Sequence, residues 1–219
     1  MPRKKLGLLH TSATLVPMFE QLCKAKLLEI DVFNLVDDSL IKDVIEHGQL
    51  RPRTARRVVD HIAAAQDAGA NFVLATCSSI GVAVETAATL VSVPVLRVDR
   101  PMVEHAIRTA GRIGVVATLP TTLEPTTDLI RRCASAAGAQ VTLLTNLCEG
   151  AFGALMSGDA AAHDASVARA INELTTQVDV IVLAQASMAR IVEKLPQTER
   201  RIPILTSPPM AIDYIASVI

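Results

Sequence analysis

One cysteine of this chain stands in a setting suited to chemistry. In the stretch Asn71-Phe72-Val73-Leu74-Ala75-Thr76-Cys77-Ser78-Ser79-Ile80-Gly81, an apolar run delivers Cys77 to a group of small hydroxyl residues. A thiol between the end of a strand and the start of a helix meets backbone N–H groups and the positive end of the helix dipole. Both favour a thiolate. Ser78 and Ser79 add donors for an anion. An inert cysteine packed at a strand end fits the polar Thr-Cys-Ser-Ser surroundings less well. The same layout returns at Asp179-Val180-Ile181-Val182-Leu183-Ala184-Gln185-Ala186-Ser187-Met188, where Ala186, 109 residues after Cys77, takes the matching place.

Further candidates flank the same kind of position. Thr11 to Thr14 and Thr118 to Thr122 are hydroxyl-rich turns ahead of helices. There Thr11, Ser12, Thr118, Thr121 and Thr122 can present N–H and O–H donors to a carboxylate. Gln185 and Ser187 follow a strand of the second half, as Ser207 follows the last one. His10 ends the first strand. It either reaches a ligand, for proton transfer or binding, or is a satisfied structural histidine. Asp99 and Glu149 can orient a site or cap a helix. Gly81, Gly150 and Gly153 permit close backbone approach to a ligand or helix.

No G-x-x-x-x-G-K loop or G-x-G-x-x-G fingerprint occurs, which disfavours nucleotide cofactors. No H-E-x-x-H motif occurs, and the cysteines Cys23, Cys77, Cys133 and Cys148 form no C-x-x-C pair. Neither a metal centre nor a disulfide framework is expected, and no cofactor is indicated. Cys23 and Cys133 fall in helical patterns and read as buried small hydrophobes.

The elements that must position these residues alternate strand and helix. Lys5 to His10, Ile30 to Leu35, Asn71 to Thr76 and Val93 to Val98 read as strands, with helices after Pro17, Pro52 and Ser78. Asp37 to Glu46 reads as a short helix or an irregular, lid-like segment. The order then restarts. Arg112 to Ala117, Ala139 to Thr145, Val180 to Gln185 and Ile202 to Thr206 are strands. Thr121 and Glu124 form a capping box for a helix to Ala137. Offsets near 109 between Ser12 and Thr121, and between Cys77 and Ala186, indicate one α/β module used twice. The expected domains are 1–98, carrying Cys77, and 99–206, carrying Ala186, with 207–219 packing back on the first. Each is an open parallel-sheet α/β domain, the two related by a pseudo-twofold axis. Parallel sheets place chemistry beyond the carboxyl ends of their strands. The candidate residues then line an interdomain cleft.

Composition agrees with this class. Half of the residues are hydrophobic, yet the aromatics are only four phenylalanines and one tyrosine. A core of Ala, Val, Leu and Ile suits a parallel sheet under small-faced helices. Formal charge is −1. With so few stacking side chains, nucleic-acid binding is not expected. The basic stretch from Arg51 to Arg57 reads as a solvated helix face rather than an anion site. No apolar stretch suits a membrane span, and Leu6 to Leu9 reads as a strand rather than part of a signal peptide. The expectation is a soluble cytoplasmic protein.

Together the segments Leu8-Leu9-His10-Thr11, Leu74-Ala75-Thr76-Cys77-Ser78-Ser79, Arg112-Ile113-Gly114-Val115-Val116-Ala117-Thr118 and Val182-Leu183-Ala184-Gln185-Ala186-Ser187-Met188 resemble the aspartate/glutamate racemase superfamily, closest to its hydantoin-racemase-like branch. The resemblance spans essentially the whole chain. It implies two similar α/β domains with a cofactor-independent site between them. Racemases of this kind use one cysteine from each half, one removing a proton next to a carboxylate or carbonyl and the other returning it on the opposite face. Cys77 matches the first. Ala186, at the second, cannot carry a proton, so ordinary two-thiol racemisation is not expected. Maleate isomerases of the superfamily use the first-half cysteine as a nucleophile. Its arylmalonate decarboxylases use one cysteine, from the second half. Cys148 follows a strand of the second half but does not match the usual second position.

The leading expectation is therefore a cofactor-independent isomerase for a small carboxylate or carbonyl acid. Cys77 would act by proton transfer or covalent addition, with His10 as a candidate second acid. The alternatives are a single-cysteine lyase, in particular a decarboxylase, and a noncatalytic small-acid-binding protein. A small anionic substrate follows as partner, and the resemblance alone implies a homodimer.

Overall fold

Lys4–His10 (β1) opens on two exposed lysines and turns apolar from Leu6 to Leu9, where Leu6, Leu8 and Leu9 are fully buried. A strand covered on both faces has no reason to alternate polar with apolar residues. β1 pairs in parallel with Ile30–Val36 (β2) on one side and Phe72–Ala75 (β3) on the other; Val95–Arg97 (β4) adds beyond β3. The computed structural model describes residues 3–195 and 200–219. Among them the first sheet has the order β2-β1-β3-β4.

The helices of this unit are Val16–Lys26 (α1), Ser39–His47 (α2), Pro52–Asp67 (α3) and Gly81–Ala87 (α4). Asp37 to Glu46 is thus not irregular: a regular helix begins at Ser39. In α3 a proline opens the first turn, where its missing N–H has no partner to lose. The helix buries Thr54, Val58, Ile62 and Ala65 at helical spacing. Burial of Val58 and Ile62 contributes about 1.5–3 kcal/mol each. Gly69, at φ 89°, ends the run in a conformation that favours glycine.

A second unit repeats the plan. Arg112–Ala117 (β5) lies between Thr142–Leu147 (β6) and Val180–Leu183 (β7), and Ile204–Thr206 (β8) follows, all parallel, in the order β6-β5-β7-β8. Its helices are Arg100–Thr109 (α5), Pro120–Ala136 (α6), Ala151–Met156 (α7), Ala160–Leu174 (α8) and Ala189–Lys194 (α9). Its core holds Val116, Val167, Ile171, Ile181, Leu183 and Ile191. The first unit comprises the chain up to Val98 together with Pro208–Ile219; the second is Asp99–Ser207. The segment after β8 forms a helix, Ser207–Val218 (α10), whose Asp213 pairs with Lys26 of α1.

Two local expectations change. Helix α6 begins at Pro120 with Leu119 as its cap and no side-chain capping bond. Thr121 therefore lies inside the first turn, and the capping box with Glu124 does not form. β6 runs two to three residues later than expected, because Ala139 still closes the preceding helix with a bond from its N–H to Ala134 O of 2.9 Å. No described helix is long and apolar enough to cross a membrane.

Candidate active site

At the carboxyl end of β3 the chain continues through Thr76 to Cys77, which caps a 3-10 turn, Ser78–Ile80, leading into α4. Cys77 is extended (φ −128°, ψ 123°), so the turn folds back beneath its side chain. The thiol is half-buried, while Ser78 and Ser79 are buried. Burial pushes the thiol up from its ordinary value. Hydrogen bonds from the Thr11 hydroxyl, the Ser79 and Ile80 amides and the Ser79 side chain work against it without reversing it. This corrects the expected thiolate. The amides are present, but α4 has only seven residues and desolvation is the larger effect. The free protein near neutral pH holds a protonated thiol in a ready-made set of donors.

Thr11 is brought to the thiol, whereas Ser12 is used locally. Ser12 caps the turn Ala13–Leu15, accepting from Thr14 N at 3.4 Å and meeting Thr14 Oγ1 at 2.8 Å. His10 is fully buried. Its Nε2 lies 2.9 Å from Asn34 Oδ1, and its Nδ1 lies 2.9 Å from Thr76 Oγ1. With Asn34 Oδ1 as the acceptor, Nε2 carries the proton and Nδ1 is left to accept; the Thr76 hydroxyl, also 3.2 Å from Leu9 O, shares its one hydrogen between that carbonyl and Nδ1. The ring also meets Phe19 edge-on, with centroids 5.6 Å apart. Burial lowers its pKa, against an upward pull from Asn34. This is the geometry of an internally satisfied, neutral histidine. Proton exchange with a ligand would require breaking one of these bonds.

In the second unit the matching place is the end of β7. There Gln185 caps the 3-10 turn Ala186–Met188 with φ −116° and ψ 136°, and the turn leads into α9. Sheet bonding fixes the correspondence. Thr76 N donates to Leu9 O at 2.9 Å, and Ala184 N donates to Val116 O at 3.0 Å, each closing the ladder onto the central strand. Thr76 thus matches Ala184, and Cys77 matches Gln185. The expectation that Ala186 takes the place of Cys77 is off by one residue; Ala186 matches Ser78.

Thr118 donates to Gln185 Oε1 from both its backbone N–H, at 2.6 Å, and its hydroxyl, at 2.9 Å. Because a backbone N–H can only donate, the amide oxygen must face Thr118. The Gln185 NH₂ group is left turned away from it. Ser187 is half-buried and Thr122 buried. Thr121 Oγ1 is buried with no partner among the described residues.

Other expectations resolve by burial and pairing. Cys148 is buried, its thiol directed at Ser166 O at 3.8 Å, and burial raises its pKa. Cys23 and Cys133 are buried as well, the Cys23 thiol pushed up to about 11 by burial and by the charge of Glu20. In the basic stretch, Arg51 is matched by Asp43, and Arg57 by Asp37 at 2.6 Å. Burial works to raise Asp37, but hydrogen bonds from Ser39 and His61 and the charges of Arg57 and His61 hold it at about 2. No described group of three or more His, Cys, Asp or Glu side chains could hold a metal ion.

Sequence reasoning missed Arg97, Thr76 and Asn34. Arg97 ends β4 with its side chain only 2 % exposed, which is unusual for a charged group. Its one signal was an arginine inside the otherwise apolar run Val93 to Val98.

Whole-chain comparisons bear on the fold and the family. The fold is similar to that of a glutamate racemase from Bacillus anthracis (TM-score 0.74, 16 % identity, 98 % of this chain and 81 % of that one). An allantoin racemase from Klebsiella pneumoniae gives a TM-score of 0.71 at 16 % identity, over 98 % of this chain and 87 % of that one. An aspartate racemase from Picrophilus torridus gives 0.70 at 14 % identity, over 98 % and 94 %. Identities this low speak for the fold alone. No curated protein matches the chain by sequence. The family described as Asp/Glu/Hydantoin racemase matches residues 6–215, nearly the full length, and the chain belongs to that family.

Proposed function

We propose that this chain is a cofactor-independent isomerase of the hydantoin-racemase-like branch, acting on a small carboxylate or carbonyl acid with Cys77 as its single reacting thiol. The observation that carries this reading is the setting of Cys77. One thiol at a strand end is surrounded by the Thr11 hydroxyl, the Ser79 and Ile80 amides and the Ser79 side chain. These donors can stabilise a thiolate or the charge that develops on a substrate oxygen. Cys23, Cys133 and Cys148 are buried, which leaves Cys77 as the single thiol in a polar setting of this kind among the described residues. Return of a removed proton by Cys77 at another carbon gives a positional isomer, and attack by Cys77 on an activated double bond gives a covalent adduct that can rotate before release.

A second reading is favoured by the raised Cys77 pKa: a lyase in which the neutral thiol protonates a carbanion left by loss of carbon dioxide. One experiment separates the two. Small carboxylates, including substituted malonates, maleate and hydantoin-type acids, are incubated in D₂O and followed by NMR, with wild type and Cys77→Ser compared. Deuterium exchange or isomerisation without carbon dioxide release supports the isomerase. Stoichiometric carbon dioxide supports the lyase. Near-wild-type turnover by Cys77→Ser removes Cys77 from either mechanism.

A further inference from the structure

Arg97 is the last residue of β4 and lies in register with Ala75, two positions before Cys77. A buried guanidinium stays charged and needs a counter-charge. Glu85 supplies it, with Oε1 3.2 Å from Nη1. Glu85 stands four residues after Gly81, on the same face of α4. The guanidinium lies directly over the α-carbon of Gly81. A β-carbon there would sit 2.7 Å from Nε and closer still to Cζ and Nη2. Gly81 has φ −54° and ψ −39°, which any residue adopts. Glycine is required at this position by volume, not by backbone conformation. The stretch from Cys77 to Gly81 is therefore held at one end by β3 and at the other by a rigid, charged plane.

We propose that Arg97 is a positioning residue for Cys77. Its guanidinium, seated on Gly81 and fastened to Glu85, fixes the turn Ser78–Ile80 so that the turn's amides face the thiol. Relevance to turnover rests on the reading of Cys77 as the reacting group, but the positioning itself is measurable without a substrate. Loss of the guanidinium frees the start of α4. A β-carbon at residue 81 displaces the guanidinium and has the same consequence.

The test is the pH profile of Cys77 alkylation by iodoacetamide, followed by peptide mass spectrometry, with circular dichroism to establish folding. Three variants are compared with wild type: Gly81→Ala, the charge-balanced double variant Arg97→Ala/Glu85→Gln, and the triple combination. The first two should each move the inflection upward and slow alkylation near pH 8 by about tenfold, the change in thiolate fraction for one unit of pKa. In the triple variant Gly81→Ala should add less than about twofold, since the obstructing group is gone and neighbouring effects cease to add. Folded single and double variants with wild-type profiles overturn the proposal. So does a full additional effect of Gly81→Ala where Arg97 is absent. A shifted profile with unchanged turnover leaves the positioning in place and counts against a reacting Cys77 thiolate, the neutral-thiol reading then being decided by Cys77→Ser.

Discussion

Gln185 holds in the second unit the place that Cys77 holds in the first. Each is the extended residue capping a 3-10 turn, one residue beyond the last ladder bond to the central strand. The two positions differ in chemistry. Cys77 carries a thiol among hydroxyl and amide donors. Gln185 carries an amide whose oxygen is taken by Thr118. The asymmetry is between a thiol and a fixed amide, and not the mere absence of a thiol beside a small residue.

The Thr118–Gln185 pair should therefore be detectable in both stability and function. Gln185→Leu leaves the buried Thr118 N–H and hydroxyl without their acceptor, a loss of about 1–3 kcal/mol. Thr118→Val keeps the backbone bond and should cost about 1 kcal/mol less than that. Urea titration with constant m-values would verify the order. A larger loss for Thr118→Val than for Gln185→Leu would show that the backbone bond is not the dominant one.

Much of this arrangement was legible in the sequence, for a physical reason. Strands buried on both faces, such as Leu6 to Leu9 and Val180 to Leu183, show as unbroken apolar runs. Their carboxyl ends locate Cys77, Thr118 and Gln185 without any coordinates. The correspondence between halves was misread by one residue because Leu74-Ala75 and Leu183-Ala184 look alike. Ala75 ends β3 as a ladder residue, whereas Ala184 lies past the end of β7. The sign of the Cys77 shift was hidden as well. A motif displays the amides that favour a thiolate but not the neighbours that exclude water. Arg97 was missed because an arginine at a strand end ordinarily reaches solvent, whereas this one is accommodated inside by the space over Gly81 and its pairing with Glu85.

His10 makes a directional prediction for pH. Its folded pKa lies below the ordinary value of 6.5, because burial disfavours the imidazolium. The unfolded chain therefore binds the proton more readily. The resulting stability is present above about pH 6.5 and is lost as pH falls through the folded pKa. Urea midpoints should drop between about pH 7.5 and pH 5, and His10→Gln should flatten that part of the curve. Asp37 acts lower on the scale. Held at about 2, it contributes stability above its ordinary 3.8 that fades as pH falls towards 2. An unchanged slope in His10→Gln would assign the acid sensitivity to other groups.

The core of the first unit allows a calibration free of the site. Ile62 is fully buried on α3 amid Val58, Ala65 and Val73. Ile62→Ala should lose about 2–5 kcal/mol, the transfer free energy of the removed methyl and methylene groups plus the cavity they leave. Cys77→Ser, at a half-buried position already supplied with donors, should lose far less. Equal losses would mean that Cys77 is a packing residue, and any fall in turnover of Cys77→Ser would then need to be read as unfolding.

The sharpest consequence of matching Cys77 with Gln185 is a difference in thiol access between neighbouring positions. Gln185→Cys puts a thiol at the position related to Cys77 by the internal repeat, the extended residue that caps the turn Ala186–Met188. The change removes two hydrogen bonds to Thr118, a loss of about 1–3 kcal/mol that a folded domain of this size can sustain. Gln185 is half-buried, as Cys77 is, whereas Ala186 is buried. The thiol of Gln185→Cys should therefore be alkylated by iodoacetamide in folded protein, as Cys77 is, and that of Ala186→Cys should be protected until the protein unfolds. Peptide mass spectrometry would follow each thiol separately. Faster alkylation of Ala186→Cys than of Gln185→Cys, in folded protein, would overturn the correspondence drawn from the sheet ladders.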